Sequence, residues 1–296
     1  MAGILGHRKP RSQSARGFET LDIRHISTTI NELSYTLFGF YTLFGQLMIF
    51  VFVALAAFAA GFVNAVAGGG SFLTFAALIA AGLPSIDANA SSTVALFPGQ
   101  IATGYAARDG LAAISADRRV NVPALATISL AGGLVGGLLL LVTPQTVFNR
   151  VVPWLILFAT AIFAGGNFWI SDAKKFRLNR TGIFAAQGLV AIYGGYFGGG
   201  IGILMLAALT LFGLRDIWLM NSLKILLAVL MNAAAVVTFI VAGLVHWQWT
   251  IVVALGAIAG GIAGLHAARR VPAQLVKSFI VAVGLVLTIY FFMKPA

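Results

Sequence analysis

Two runs of three glycines are the residues best placed to do chemistry in this chain. Gly68-Gly69-Gly70 leads into Ser71, and Gly198-Gly199-Gly200 follows Tyr193-Gly194-Gly195-Tyr196-Phe197. Each run sits between a long apolar stretch and a short one. Glycine in a helix interior costs roughly 1 kcal/mol relative to alanine, so three in succession break the helix. Irregular backbone at membrane depth is tolerated only when it is buried in protein or lines a water-filled cavity. A break also frees N–H groups at the start of the next helix, where partial positive charge favours an anion. Two such ends near the bilayer midplane would make an anion site. The plainer alternative is close packing of helices at glycine. No strand precedes either run, so neither is a nucleotide-binding fingerprint.

Lys224 is the second candidate. It lies between Trp218-Leu219-Met220 and Ile225-Leu226-Leu227, roughly 12 Å into an apolar helix that starts near Asp216. A lysine at that depth costs at least about 2.5–3.5 kcal/mol on insertion scales, and it usually faces a cavity. Beside helix N-termini it would act as counter-ion to an anion; the alternative is snorkelling to the inner interface. Asn89-Ala90-Ser91-Ser92-Thr93 and Asn221-Ser222 are polar clusters that begin the third apolar segment of each half, the second of them in the segment that carries Lys224, with Gln100 and Asn232 two to three turns beyond. These groups need partners in lipid and should face the interior, whether they line a site or join helices. Asn89, Ser92 and Gln100 are candidates for lining the site, and Asn64 is a weaker one.

The acidic residues inform by their positions. All eight lie in the N-terminal tail, in loops or at segment ends. A buried carboxylate proton relay and carboxylate-based cation selectivity are therefore disfavoured, and Asp87 and Asp216 read as helix caps. The chain has no cysteine, which removes disulfides, thiolate metal sites, Fe–S clusters and thiol nucleophiles. Its four histidines have no metal-ligand spacing. No paired carboxylates lie inside the bilayer and no Ser–His arrangement is present, so an enzyme is disfavoured. No cofactor is expected.

The elements that must position these residues are membrane helices. Charged residues make up 9% of the chain, against about 25% in soluble domains. With 60% hydrophobic residues and a mean hydropathy of +0.97, this composition excludes a soluble fold and disorder. The net charge is +11, but the basic residues cluster between apolar stretches, as in cytoplasmic loops. Nucleic acid is not an expected partner. About ten apolar segments follow Thr36, near residues 43–67, 71–82, 88–106, 120–143, 146–170, 181–197, 201–213, 216–244, 247–268 and 271–293. A crossing needs about 20 residues, so the second and seventh segments are half-helices. Phe18, Leu21, Ile26, Ile30 and Leu33 make 18–34 either an amphipathic surface helix or a flexible tail.

An internal repeat organises these segments. The two glycine triplets match, as do Asn89 with Asn221, Ser92 with Lys224, Gln100 with Asn232, Gly132/Gly136 with Gly260/Gly264, and Pro144 with Pro272. Arg108/Arg118/Arg119 and Lys174/Lys175/Arg177/Arg180 mark inside loops in the first half, where Thr143–Thr146 is uncharged. In the second half Arg269/Arg270/Lys277 mark an inside loop and Gly243–Gln248 is uncharged. Corresponding loops thus have opposite bias, as in inverted-topology repeats. The basic tail (Arg8, Lys9, Arg11, Arg16, Arg24) opposes this assignment, because inversion puts the N-terminus outside. A surface or re-entrant piece near 35–45, or a first segment that does not fully cross, would reconcile the two. The expected fold is an all-α polytopic membrane protein. It has a basic tail at 1–34, a first transmembrane repeat at 35–170, a cytoplasmic loop at 171–180 and a second repeat at 181–296.

Gly61-Phe62-Val63-Asn64-Ala65-Val66-Ala67-Gly68-Gly69-Gly70-Ser71-Phe72, then Gly82-Leu83-Pro84, then Asn89-Ala90-Ser91-Ser92-Thr93-Val94-Ala95-Leu96-Phe97-Pro98-Gly99 resembles the sulfite exporter TauE/SafE family. Gly198-Gly199-Gly200 and Asn221-Ser222-Leu223-Lys224 look like its repeated block. The resemblance covers about residues 43–293. It implies transport of a small sulfur-containing anion, sulfite or an organosulfonate, across the bacterial cytoplasmic (inner) membrane. The leading expectation is a secondary transporter working by alternating access. An anion channel, or a transporter of another oxyanion or a carboxylate, is the alternative. The substrate would bind at Gly68, Gly69, Gly70, Ser71, Asn89, Ser92, Gln100, Gly198, Gly199, Gly200, Asn221 and Lys224. The partners are that anion and the lipid bilayer, with a homodimer as a further option.

Overall fold

The computed structural model describes residues 23–66, 69–106, 108–116, 120–173, 178–212, 214, 216–267 and 272–293. Every regular element among them is an α-helix: α1 (Ile23–Val66), α2 (Ser71–Ala80), α3 (Ser85–Ala106), α4 (Arg108–Ala116), α5 (Val122–Val142), α6 (Gln145–Ala173), α7 (Arg180–Tyr196), α8 (Ile201–Leu211), α9 (Ile217–Val241), α10 (Trp247–Ala267) and α11 (Ala273–Met293). The chain divides into a unit of residues 1–47 and a unit of residues 48–296. In the first, Tyr35, Phe38 and Tyr41 of α1 are exposed. Residues 35–45 are continuous helix, not a re-entrant piece. Residues 1–22, and with them most of the basic tail, lie outside the described residues, as do Gly68 and most of the basic loop residues.

In the second unit the bilayer dictates which face of each helix turns inward. Among the described residues six helices are long and apolar enough to cross a membrane: α1 from residue 34, α5, α6 to residue 165, α9, α10 and α11. The protein is a multi-pass α-helical membrane protein. Its close contacts are made at small residues, as expected where lipid removes the hydrophobic drive for helix association. On α5, Gly132, Gly133, Gly136 and Gly137 are buried while Leu134, Leu138 and Leu139 are about half exposed. A Cβ added at Gly132 would meet the Gly188 carbonyl, and one at Gly136 the Ile192 carbonyl, both on α7. Likewise a Cβ at Gly260 of α10 would meet the Phe58 carbonyl, and one at Gly264 the Phe62 carbonyl, both on α1. Because the numbering rises together on both partners, α5 runs parallel to α7 and α10 parallel to α1.

The helix that fails the apolarity test positions the site. α3 is 22 residues long but carries Ser85, Asp87, Asn89, Ser91, Ser92, Thr93 and Gln100, too polar for lipid. It is packed against α2, α6, α9 and α10, which leaves Asn89, Ser91 and Ser92 buried. Its first turn joins two loops. The Ser85 hydroxyl bonds Asn149 and accepts from Gln145 Nε2 at 2.6 Å. Asp87 pairs with His246 at 2.8 Å, and the His246 N–H donates to Ser91 Oγ at 3.0 Å. The α5–α6 turn and the α9–α10 loop therefore share one end of the bundle. Asp87 thus lies within the first turn as a hydrogen-bond partner of His246, not at the cap position. Asp216 does cap α9, accepting from the Trp218 and Leu219 N–H groups at 2.8 and 3.2 Å. At the opposite end, Gly110 of α4 packs against Ser222 and Trp218 of α9. Here too the Leu178 N–H donates to the Leu211 carbonyl at 3.0 Å, so α8 returns to the side on which α7 began.

Candidate functional site

The glycine runs interrupt two helices as their conformational freedom allows. Between α1 and α2, Gly69 has φ 88°; between α7 and α8, Gly198 and Gly200 have φ 77° and 71°. This left-handed region penalises any residue with a Cβ. Neither break is left loose. The Gly70 N–H donates to Asn64 Oδ1 at 2.7 Å, so one freed amide is already occupied. The Tyr193 hydroxyl donates to the Gly199 carbonyl at 2.8 Å. Asn89 of α3 donates through Nδ2 to the Tyr196 carbonyl at 3.1 Å, which partners a carbonyl at the C-terminus of α7 that the helix cannot satisfy.

A cavity of about 390 Å³, counting its open mouth, lies where α2, α3, the second break and α9 meet. Ser71, Phe72 and Phe75 line it from α2; Asn89, Ser92, Thr93, Leu96 and Gln100 from α3; Phe197, Gly198 and Gly199 from the break; and Asn232 from α9. Phe75 and Phe197 meet edge to face at 5.8 Å. The polar groups are held by one another. Thr74 donates to the Ser71 carbonyl at 3.1 Å and lies 2.6 Å from Ser92 Oγ. Thr93 donates to the Asn89 carbonyl at 2.9 Å. Asn232 Nδ2 donates to Gln100 Oε1 at 2.7 Å. Among the described residues no carboxylate lines the cavity and no group of His, Cys, Asp or Glu could hold a metal ion.

Six of the twelve sequence candidates meet here: Ser71, Asn89, Ser92, Gln100, Gly198 and Gly199. The others lie elsewhere. Gly70 packs toward the Ala60 carbonyl, Gly69 toward Ile280 and Phe163, and Gly200 toward Ala159. Gly68 lies outside the described residues. Asn221 is exposed on α9, and Lys224 is half-buried. Lys224 stands eight residues before Asn232, roughly 12 Å along the helix axis, toward the end that packs on α4. Asn232, Thr93, Leu96, Phe72, Phe75 and Phe197 complete the lining. The match of Asn232 with Gln100 was a usable signal for the first of these, whereas the phenylalanines carried none, being ordinary apolar residues in sequence.

A partly polar cavity between interrupted helices, inside a bundle of apolar spans, is the arrangement expected of a polytopic membrane transporter. A family model described as "Sulfite exporter TauE/SafE" matches residues 53–291. A Sinorhizobium protein named "Probable membrane transporter protein ORF9" is 30% identical over 254 residues, covering 84% of this chain and 94% of the relative. "Probable membrane transporter protein YfcA" of Escherichia coli K12 is 28% identical, covering 80% and 86%. A "Probable membrane transporter protein" of Haemophilus influenzae is 26% identical, covering 78% and 89%. No solved structure matches significantly. The chain belongs to the sulfite exporter TauE/SafE family.

Proposed function

We propose that this protein is a secondary transporter that moves a small sulfur-containing anion, sulfite or an organosulfonate, across the cytoplasmic membrane by alternating access. The observation that carries the reading is the cavity itself: hydroxyls, amides and an unwound glycine segment, no carboxylate, and a place between broken helices within the bundle. Ser71, Asn89, Ser92 and Gln100, with Gly198 and Gly199, hold the anion. Lys224 contributes positive potential from the side bearing the basic loops. Gly68, Gly69, Gly70, Gly200 and Asn221 act around the site, shaping the breaks and its approach.

Alternating access rests on two inverted repeats of five segments each, α1–α2–α3–α5–α6 and α7–α8–α9–α10–α11. The packing supports this. The pairs α5·α9 and α10·α3, α6·α8 and α11·α2, and α2·α3 and α8·α9 exchange when the halves are swapped. The glycine contacts do the same. Gly132 on Gly188 and Gly136 on Ile192 correspond to Gly260 on Phe58 and Gly264 on Phe62. The Gln100–Asn232 hydrogen bond joins residues that are themselves equivalent, as only groups near a two-fold axis can be. Proteoliposome flux tests the reading. Saturable uptake of radiolabelled sulfite, accelerated by unlabelled anion on the far side, is expected. Flux that rises linearly with concentration and shows no such exchange would rule out a carrier.

A further inference from the structure

The hydrogen-bond inventory of the cavity says what kind of anion suits it, on the reading just given that an anion binds there. Thr74 has one proton, which the Ser71 carbonyl at 3.1 Å can accept. In the 2.6 Å contact between Thr74 and Ser92 either hydroxyl can be the donor. Thr93 spends its proton on the Asn89 carbonyl. Thr93 thus turns only lone pairs toward the cavity. Gln100 and Asn232 share one hydrogen bond. Two amides joined by one bond always leave one carbonyl oxygen over, whichever of the two donates. Here it is Asn232 Oδ1, which is buried, belongs to a residue only 3% exposed, and has no hydrogen-bond partner among the described residues. A buried acceptor without a donor is costly, and a ligand that brings one recovers that cost.

The free donors are the Ser71 hydroxyl and the remaining N–H groups of Asn89, Gln100 and Asn232. They suit oxyanion oxygens. The free acceptors do not, and a fully deprotonated oxyanion would set its charge against them. We infer that the cavity selects an oxyanion carrying an O–H or N–H of its own, a hydrogen oxyanion or a hydroxyalkyl or aminoalkyl sulfonate, and that Asn232 Oδ1 accepts that hydrogen bond. Asn232 is thereby a specificity-determining residue, distinct from the groups that hold the negative charge.

The test compares two isosteric probes, 2-hydroxyethanesulfonate and propane-1-sulfonate, binding to the full chain in nanodiscs by calorimetry. The hydroxylated probe is expected to bind at least about tenfold tighter, the scale of one buried hydrogen bond. In Asn232→Leu that preference should shrink to within about twofold. Equal affinities in the unaltered protein overturn the inference and leave the anion reading standing. Binding of neither probe overturns both. A preference that survives in Asn232→Leu overturns the role of Asn232. If Asn232→Leu does not fold, the unaltered protein and the probe pair alone decide the matter.

Discussion

Removing the charge of Lys224 should weaken anion binding by an amount its position sets. Asn232 marks the cavity on α9, and Lys224 is eight residues earlier on the same helix, roughly 12 Å away at 1.5 Å per residue. Two unit charges at that separation interact by about 1.4 kcal/mol at an effective dielectric constant near 20. This corresponds to about a tenfold change in dissociation constant. Lys224→Met keeps the length of the side chain and removes its charge, so binding of a monovalent alkylsulfonate should weaken about tenfold, while Lys224→Arg should stay within about threefold of the unaltered protein. Calorimetry in nanodiscs, with thermal unfolding to confirm that each variant is folded, measures both. A folded Lys224→Met protein with unchanged affinity would show that the lysine does not act on the cavity. A loss of a thousandfold or more would equally refute the reasoning, because it requires direct contact and not a field acting over two helical turns.

Two further outcomes follow from packing and topology. Gly133→Ala and Gly260→Ala would each drive a Cβ into backbone, of Met231 and Phe58 respectively, and should lower stability by about 1–3 kcal/mol or more. Gly99 has nothing within 4 Å, so Gly99→Ala in α3 should instead stabilise by roughly 0.5–1 kcal/mol; equal unfolding midpoints in detergent for all three would contradict the packing described. The chain has no native cysteine, so single substitutions report sidedness cleanly. Pro144→Cys and Gln248→Cys should react with an impermeant maleimide on intact cells, and Asp109→Cys only after permeabilisation. Labelling of Pro144→Cys and Gln248→Cys from opposite sides would remove the inverted arrangement.

Local pattern made much of this protein legible. The bilayer forbids unpaired backbone, so the glycine triplets announced helix breaks, and the α2 and α8 helices that follow them are only 10 and 11 residues long. The polarity of α3 announced that it could not face lipid. Other elements were not legible. The nine-residue α4 (Arg108–Ala116) is too short and too polar for an apolar window, and it earns its place by burying Ile114 completely. α1 runs from Ile23 to Val66 as one helix, so the helical alternative for 18–34 holds from residue 23 on, but its continuity with the apolar segment was not legible.

Composition and spacing by themselves determined that the chain is an all-α membrane protein, where its helices break, and which polar residues must find partners inside the membrane, because those are properties of one helix in its solvent. Tertiary structure alone decided that Gln100 meets Asn232, that Tyr193 braces the second break, and that the cavity sits two turns beyond Lys224. Those facts depend on the depth and rotation at which helices distant in sequence lock together. Glycine–carbonyl contacts between helices set that register, and no single segment encodes it.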